Sequence, residues 1–230
     1  MPKDDNESPA MSTNEKRLIN IGLNSNDVMW FTVISNKLRH DIIRTILGFI
    51  GNVYGDSFGE LPEKVQNWRI TSKEDQYELF EIDPARFMKH FAITAEIFHC
   101  QVSVYYHKKF HQLFEQTGAD PLDLSDAFNS KNSEKIISKL QSQDKSNEAA
   151  AGEGGASGEL FVIDLEKKFI LKTITYEESR VFNRLIEDRG FFDHVIFENA
   201  SSIMPRIYGY LEFNFTKLGN KKQYVIIMVN

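Results

Sequence analysis

The chain of 230 residues is 41% hydrophobic, contains 18 phenylalanines and carries a formal net charge of −6. That is enough apolar material for a folded core, and the acidity argues against a nucleic-acid binder. A single cysteine, Cys100, excludes a disulfide framework and suits a reducing compartment.

Residues 1–17 are polar and read as a disordered tail. They hold no apolar core of the secretory kind, and every longer apolar patch of the chain is interrupted by charge. The expected location is therefore cytoplasmic, or peripheral at the cytosolic face of a membrane. Residues 18–128 read as a mostly helical, mixed region: helical periodicity is clearest in Asp27–Ile34 and Asp41–Ile50, the segment around Tyr77–Ile82 is mixed, and Gln101–Tyr106 alternates like a short strand. The apolar stripe within residues 28–50 has two readings, packing against the rest of the chain or self-association as a homodimer. His107 and His111 stand at i, i+4 but lack the glutamate of a zinc-protease helix, and His99-Cys100 is an isolated pair, so no metal is assigned. Residues 129–156 form a Ser/Asn/Gln/Lys/Ala/Gly-rich linker with a short helix at 133–140.

The most informative residues follow. Gly152, Gly154, Gly155 and Gly158, with Ser157 among them, make a small-residue turn whose backbone N–H groups can approach phosphate oxygens. Its spacing fits neither the Walker loop nor the protein-kinase glycine loop, and alone it reads equally as a linker tip. Leu160–Ile163 and Phe169–Ile174 read as two strands joined by the polar turn Asp164–Lys168. Alternation puts Phe169, Leu171 and Thr173 on one face and Ile170, Lys172 and Ile174 on the other. Lys172 thus needs an anion among its apolar neighbours, unless it snorkels to solvent. Thr175-Tyr176-Glu177-Glu178 has the form of a capping box, and Val181, Phe182, Leu185 and Ile186 recur at helical spacing until Gly190. Glu178 is expected on the apolar edge of that helix, pairing with Lys172 or capping its own helix through Thr175.

Ser157-Gly158, Phe161, Phe169-Ile170-Leu171-Lys172-Thr173, Ile203–Gly209 and Tyr224–Asn230 together resemble the nucleotide-binding lobe of the phosphatidylinositol phosphate kinases, phosphatidylinositol 4-phosphate 5-kinase-like, as far as the hinge. A weaker likeness covers His107–Leu124. Two positions depart from the family pattern: Val229 replaces an asparagine, and the insert between residues 129 and 155 is long and polar. The resemblance implies an α+β fold in which residues 157–230 form a nucleotide-binding lobe. That lobe is a kinase-like N-lobe, incomplete, with an antiparallel sheet of roughly five strands over 159–230 and a helix from Tyr176 to Arg189 packed on it. It also implies ATP bound by Gly155, Ser157, Gly158, Lys172, Glu178, Met228 and Asn230, magnesium held by a second lobe, and a phosphoinositide lipid at a membrane surface as acceptor. Because the aspartates of phosphoryl transfer lie beyond the hinge in such kinases, the 230-residue chain alone is expected to be inactive in transfer. The alternative is a non-catalytic module that binds nucleotide or partners.

Overall fold

The computed structural model describes residues 36–54, 69–73, 76–90, 98–117, 120–146, 160–187, 190–192 and 205–229. Asp27–Ile34 lie outside them, and with them most of the stripe read for self-association. In chain order come α1 (Asn36–Phe49), running into a π-turn at Ile50–Tyr54, then β1 (Arg69–Lys73), β2 (Tyr77–Ile82), α2 (Pro84–His90), β3 (Cys100–Tyr105), α3 (His107–Thr117), α4 (Pro121–Ala127) and α5 (Ser130–Ser146). They are followed by β4 (Phe161–Ile163), β5 (Phe169–Ile174), α6 (Tyr176–Glu187), β6 (Ile207–Phe215), a 3-10 turn at Thr216–Leu218, and β7 (Lys221–Val229). The fold is α+β, as the sequence implied.

The described strands form one antiparallel sheet in the order β1-β2-β3-β6-β7-β5-β4. Its middle is β6 and β7, whose near-continuous apolar runs are buried on both faces. One face is covered by α1, where Ile42, Ile43, Ile46, Leu47 and Phe49 are at most 3% exposed. Phe49 meets Phe80 of β2 and Phe213 of β6 edge-on, with centroids 5.6 and 5.7 Å apart. The π-turn ends on Tyr54, whose hydroxyl donates to the Tyr208 carbonyl at 2.7 Å, while Phe114 of α3 stacks on Tyr208 at 4.1 Å. The other face carries α6, through Phe182 against Tyr210 at 5.0 Å and Tyr176 near Tyr224 at 6.3 Å.

Two regions differ from expectation. Among the described residues, 160–229 supply four strands rather than about five, and the sheet reaches seven because β1, β2 and β3 come from the stretch read as mostly helical. The free edge of β6 is a row of unpaired N–H and C=O groups, and β3 satisfies it from Gln101↔Asn214 to Tyr105↔Tyr210. β3 was legible by its alternation; β2 was not, because its half-buried Tyr77, Glu78 and Leu79 blur the period. The front of the expected linker is instead the 17-residue helix α5. Ile136 and Ile137 bury against α1, and Arg44 joins the two helices by an Nε–Oε1 contact of 2.8 Å to Glu134. The polarity of its other side hid its length.

Candidate nucleotide-binding site

The hairpin β4–β5 is held by its turn. Asp164 is 3% exposed: its Oδ1 accepts from the Phe169 N–H at 2.6 Å and its Oδ2 from the Glu166 N–H at 2.9 Å. Lys167 takes a left-handed φ of 60° within that turn. At the open end Thr173 acts twice, its Oγ1 accepting from the Leu160 N–H at 2.8 Å and its N–H donating to the Leu160 carbonyl at 2.9 Å. The register is therefore fixed at both ends, which fixes the face on which every side chain of β5 lies.

That register makes one row across the sheet. Phe161 pairs with Lys172, Lys172 with Ile226, Ile226 with Tyr210, and Tyr210 with Tyr105. Cross-strand partners share a face, so Lys172 lies on the α6 side of the sheet. The next row on the same face is Ile163, Ile170, Met228 and Ile207, about 7 Å further along. Phe169, Leu171 and Thr173 are buried on the opposite face, as alternation predicted.

Lys172 Nζ lies 3.4 Å from Glu178 Oε1, the lysine side chain 22% exposed and the glutamate 44%. The ammonium also sits 5.7 Å from the centroid of the Phe161 ring, an arrangement that favours a cation over an aromatic face. Glu178 serves the helix as well. Its Oε2 accepts from the Thr175 N–H at 2.8 Å, and the Glu178 N–H donates to Thr175 Oγ1 at 2.9 Å, the reciprocal capping box. The two readings of Glu178 left open by the sequence therefore hold together, one through each carboxylate oxygen.

Helix α6 does not bury the stripe its sequence suggested. Val181 is 66% and Leu185 41% exposed, while Ser179, Phe182 and Ile186 face the sheet. At 100° per residue Ser179, Asn183 and Ile186 centre the inward arc and Val181 falls opposite it. The small Ser179 lets the helix axis approach Tyr210, which turns the inward arc by about a quarter turn from the one the apolar pattern indicates. Glu178 then borders the inward arc, close enough to reach Lys172 without being buried.

Among the expected site residues, the structure brings Lys172 and Glu178 together and places Met228 on their face of the sheet. Gly155, Ser157, Gly158 and Asn230 lie outside the described residues. Phe161 belongs to the motif that carries the family resemblance, and its place beside the ammonium emerges only from the β4–β5 register. Elsewhere, a polar cleft of about 100 Å³ lies between α4 and the hairpin turn, lined by Asp123, Asp126, Asn132, Asp164, Glu166 and Lys168. Lys168 bridges it to Glu166 at 3.0 Å and Asp123 at 3.8 Å, and neither Lys172 nor Glu178 lines it. Among the described residues no group of three or more His, Cys, Asp or Glu side chains is gathered that could hold a metal ion, and no helix is long and apolar enough to cross a membrane.

Residues 141–230 match the family model described as Phosphatidylinositol-4-phosphate 5-Kinase. This stretch contains the hairpin, α6, β6 and β7, and so Phe161, Lys172, Glu178, Ile226 and Met228. No curated protein matches the chain.

Proposed function

We propose that residues 157–230 are the nucleotide-holding lobe of a phosphatidylinositol phosphate kinase, which passes the γ-phosphoryl group of ATP to a phosphoinositide headgroup at the cytosolic face of a membrane. The observation that carries this reading is the Lys172–Glu178 contact of 3.4 Å, formed on one sheet face within the stretch that matches the lipid-kinase family.

ATP supplies the phosphoryl group, and the chain supplies position and charge. The Lys172 side chain is still 22% exposed, so a phosphate oxygen can approach its ammonium from the open side. Glu178 and the Phe161 ring hold its ammonium along the sheet face instead of letting it swing to solvent. Ile170, Ile226 and Met228 give that face an apolar floor suited to a purine. Gly155, Ser157 and Gly158 are assigned to the phosphates, and Asn230 to the hinge, on the family resemblance. No described residue is assigned to magnesium.

Calorimetric titration of the whole chain with ATP, beside Lys172→Met, tests the proposal. A charge-assisted hydrogen bond of roughly 1.5–3 kcal/mol should be lost, weakening binding about 10- to 100-fold. Equal ATP affinity in the two proteins would refute the role of Lys172. Radiolabel transfer to phosphatidylinositol phosphate that survives in Lys172→Ala would refute the catalytic reading as well.

A further inference from the structure

Helix α5 presents a row of charge that the nucleotide site does not use. Lys131, Lys135 and Lys139 stand at i, i+4 and i+8 and are all exposed, so they share one side of the helix and span about 12 Å along its axis. The opposite side is fixed on α1 by Ile136 and Ile137, 3% and 1% exposed. The flanking acid, Glu134, is turned onto Arg44 at 2.8 Å, and Arg44 also holds Asp41 at 2.7 Å. Ser138, between Lys135 and Lys139, and Ser142, three residues beyond Lys139, donate back to the carbonyls of Glu134 and Ser138 at 2.8 Å each. No described carboxylate is paired with any of the three lysines. Like charges four apart on a helix repel, so a row of this kind is relieved by an external polyanion, and it stands out in a chain whose net charge is −6.

We propose that the Lys131–Lys135–Lys139 ridge of α5 docks the protein on an anionic lipid bilayer. This rests on the phosphoinositide-kinase reading, which requires the chain to work at a lipid surface. Charge complementarity with acidic headgroups needs only exposed lysines at a planar surface, each contributing near it without insertion. A protein partner would be expected to seat an apolar or aromatic anchor, and this side of α5 offers lysine, serine and glutamine. Residues 131–139 precede the stretch that matches the kinase family, so the docking surface belongs to this chain's insert and not to the shared lobe.

The test is co-sedimentation of the whole chain with phosphatidylcholine vesicles, with and without phosphatidylserine. Binding is expected only with the acidic lipid and should weaken as salt is raised. Lys131→Gln/Lys135→Gln/Lys139→Gln should weaken it by about 100-fold, and Ser138→Asp/Ser142→Asp, which adds acid while keeping every lysine, by about tenfold. Both variants should keep the wild-type circular dichroism and the wild-type affinity for ATP, so that loss of docking is distinguished from failure of the nucleotide site. The proposal is overturned if the wild-type chain ignores phosphatidylserine vesicles, if the glutamine variant binds them as the wild type does, or if an acidic peptide captures the ridge while vesicles do not.

Discussion

Glu178 divides its carboxylate between two partners: Oε1 lies 3.4 Å from Lys172 Nζ, and Oε2 accepts the Thr175 N–H at 2.8 Å. One oxygen sets the charge of the sheet face and the other secures the start of α6. Substitutions should therefore separate the two tasks. Glu178→Gln keeps an oxygen for Thr175 and removes the charge, so stability should change by less than about 0.5 kcal/mol while ATP affinity falls a few-fold, the scale of a partly exposed ion pair. Thr175→Ala removes the reciprocal cap and should cost about 1 kcal/mol of stability by urea denaturation.

Asp164 is the turn's own fastener. With Asp164→Ala the Phe169 N–H loses its 2.6 Å acceptor and, being buried, costs about 1–3 kcal/mol when left unsatisfied. The same loss frees the register that aims Lys172. Denaturation and ATP titration of this variant should therefore worsen together, whereas Thr175→Ala should move stability mainly.

Two glycines are required by close approach. A Cβ at Gly51 would lie 1.9 Å from the Phe128 carbonyl oxygen, and one at Gly209 would lie 2.6 Å from the Tyr54 hydroxyl. The first obstacle is backbone and the second the end of a side chain. Gly51→Ala should cost more than Gly209→Ala, roughly 3 kcal/mol or above against about 1–2 kcal/mol, as read by the shift in urea midpoint.

His107 gives the protein an acid-side liability. Burial, with His111 and Lys108 nearby, lowers its pKa from 6.5 to about 4. Its ring packs near Tyr54 at 5.4 Å, and its Nδ1 lies 3.9 Å from Glu78. The unfolded chain takes up the proton first as pH falls from about 6.5 towards 4. This group therefore withdraws stability over that window at up to about 1.4 kcal/mol per pH unit. Glu78, whose pKa burial raises, acts with the opposite sign: the folded state holds its proton longer, which offsets part of the loss at the lower end. His107→Gln should flatten the stability profile between pH 6.5 and 5, as followed by urea midpoints at each pH.

The hairpin, its lysine and the capping box were legible because each rests on local chemistry: alternation for β5, a polar turn at Asp164–Lys168, and Thr175 three residues before Glu178. Three features depend on contacts distant in sequence and were not. β2 becomes a strand because β3 pairs with it from Tyr77↔Tyr105 to Ile82↔Cys100. α5 becomes long because Ile136 and Ile137 find α1. The inward arc of α6 is chosen by Tyr210 on a strand about thirty residues away, against an apolar pattern that pointed to Val181 and Leu185.

The most direct measurement is labelling of the whole chain with an acyl-phosphate derivative of ATP, which acylates a lysine amine lying beside bound phosphates. Acylation of Lys172 blocks tryptic cleavage there and yields a single modified peptide, Phe169–Arg180, for mass spectrometry. The nucleotide reading predicts that Lys172 is labelled in preference to the exposed Lys167, Lys217 and Lys222, and that added ATP suppresses it. Labelling of Lys172 no greater than that of those surface lysines, and indifferent to ATP, would contradict it.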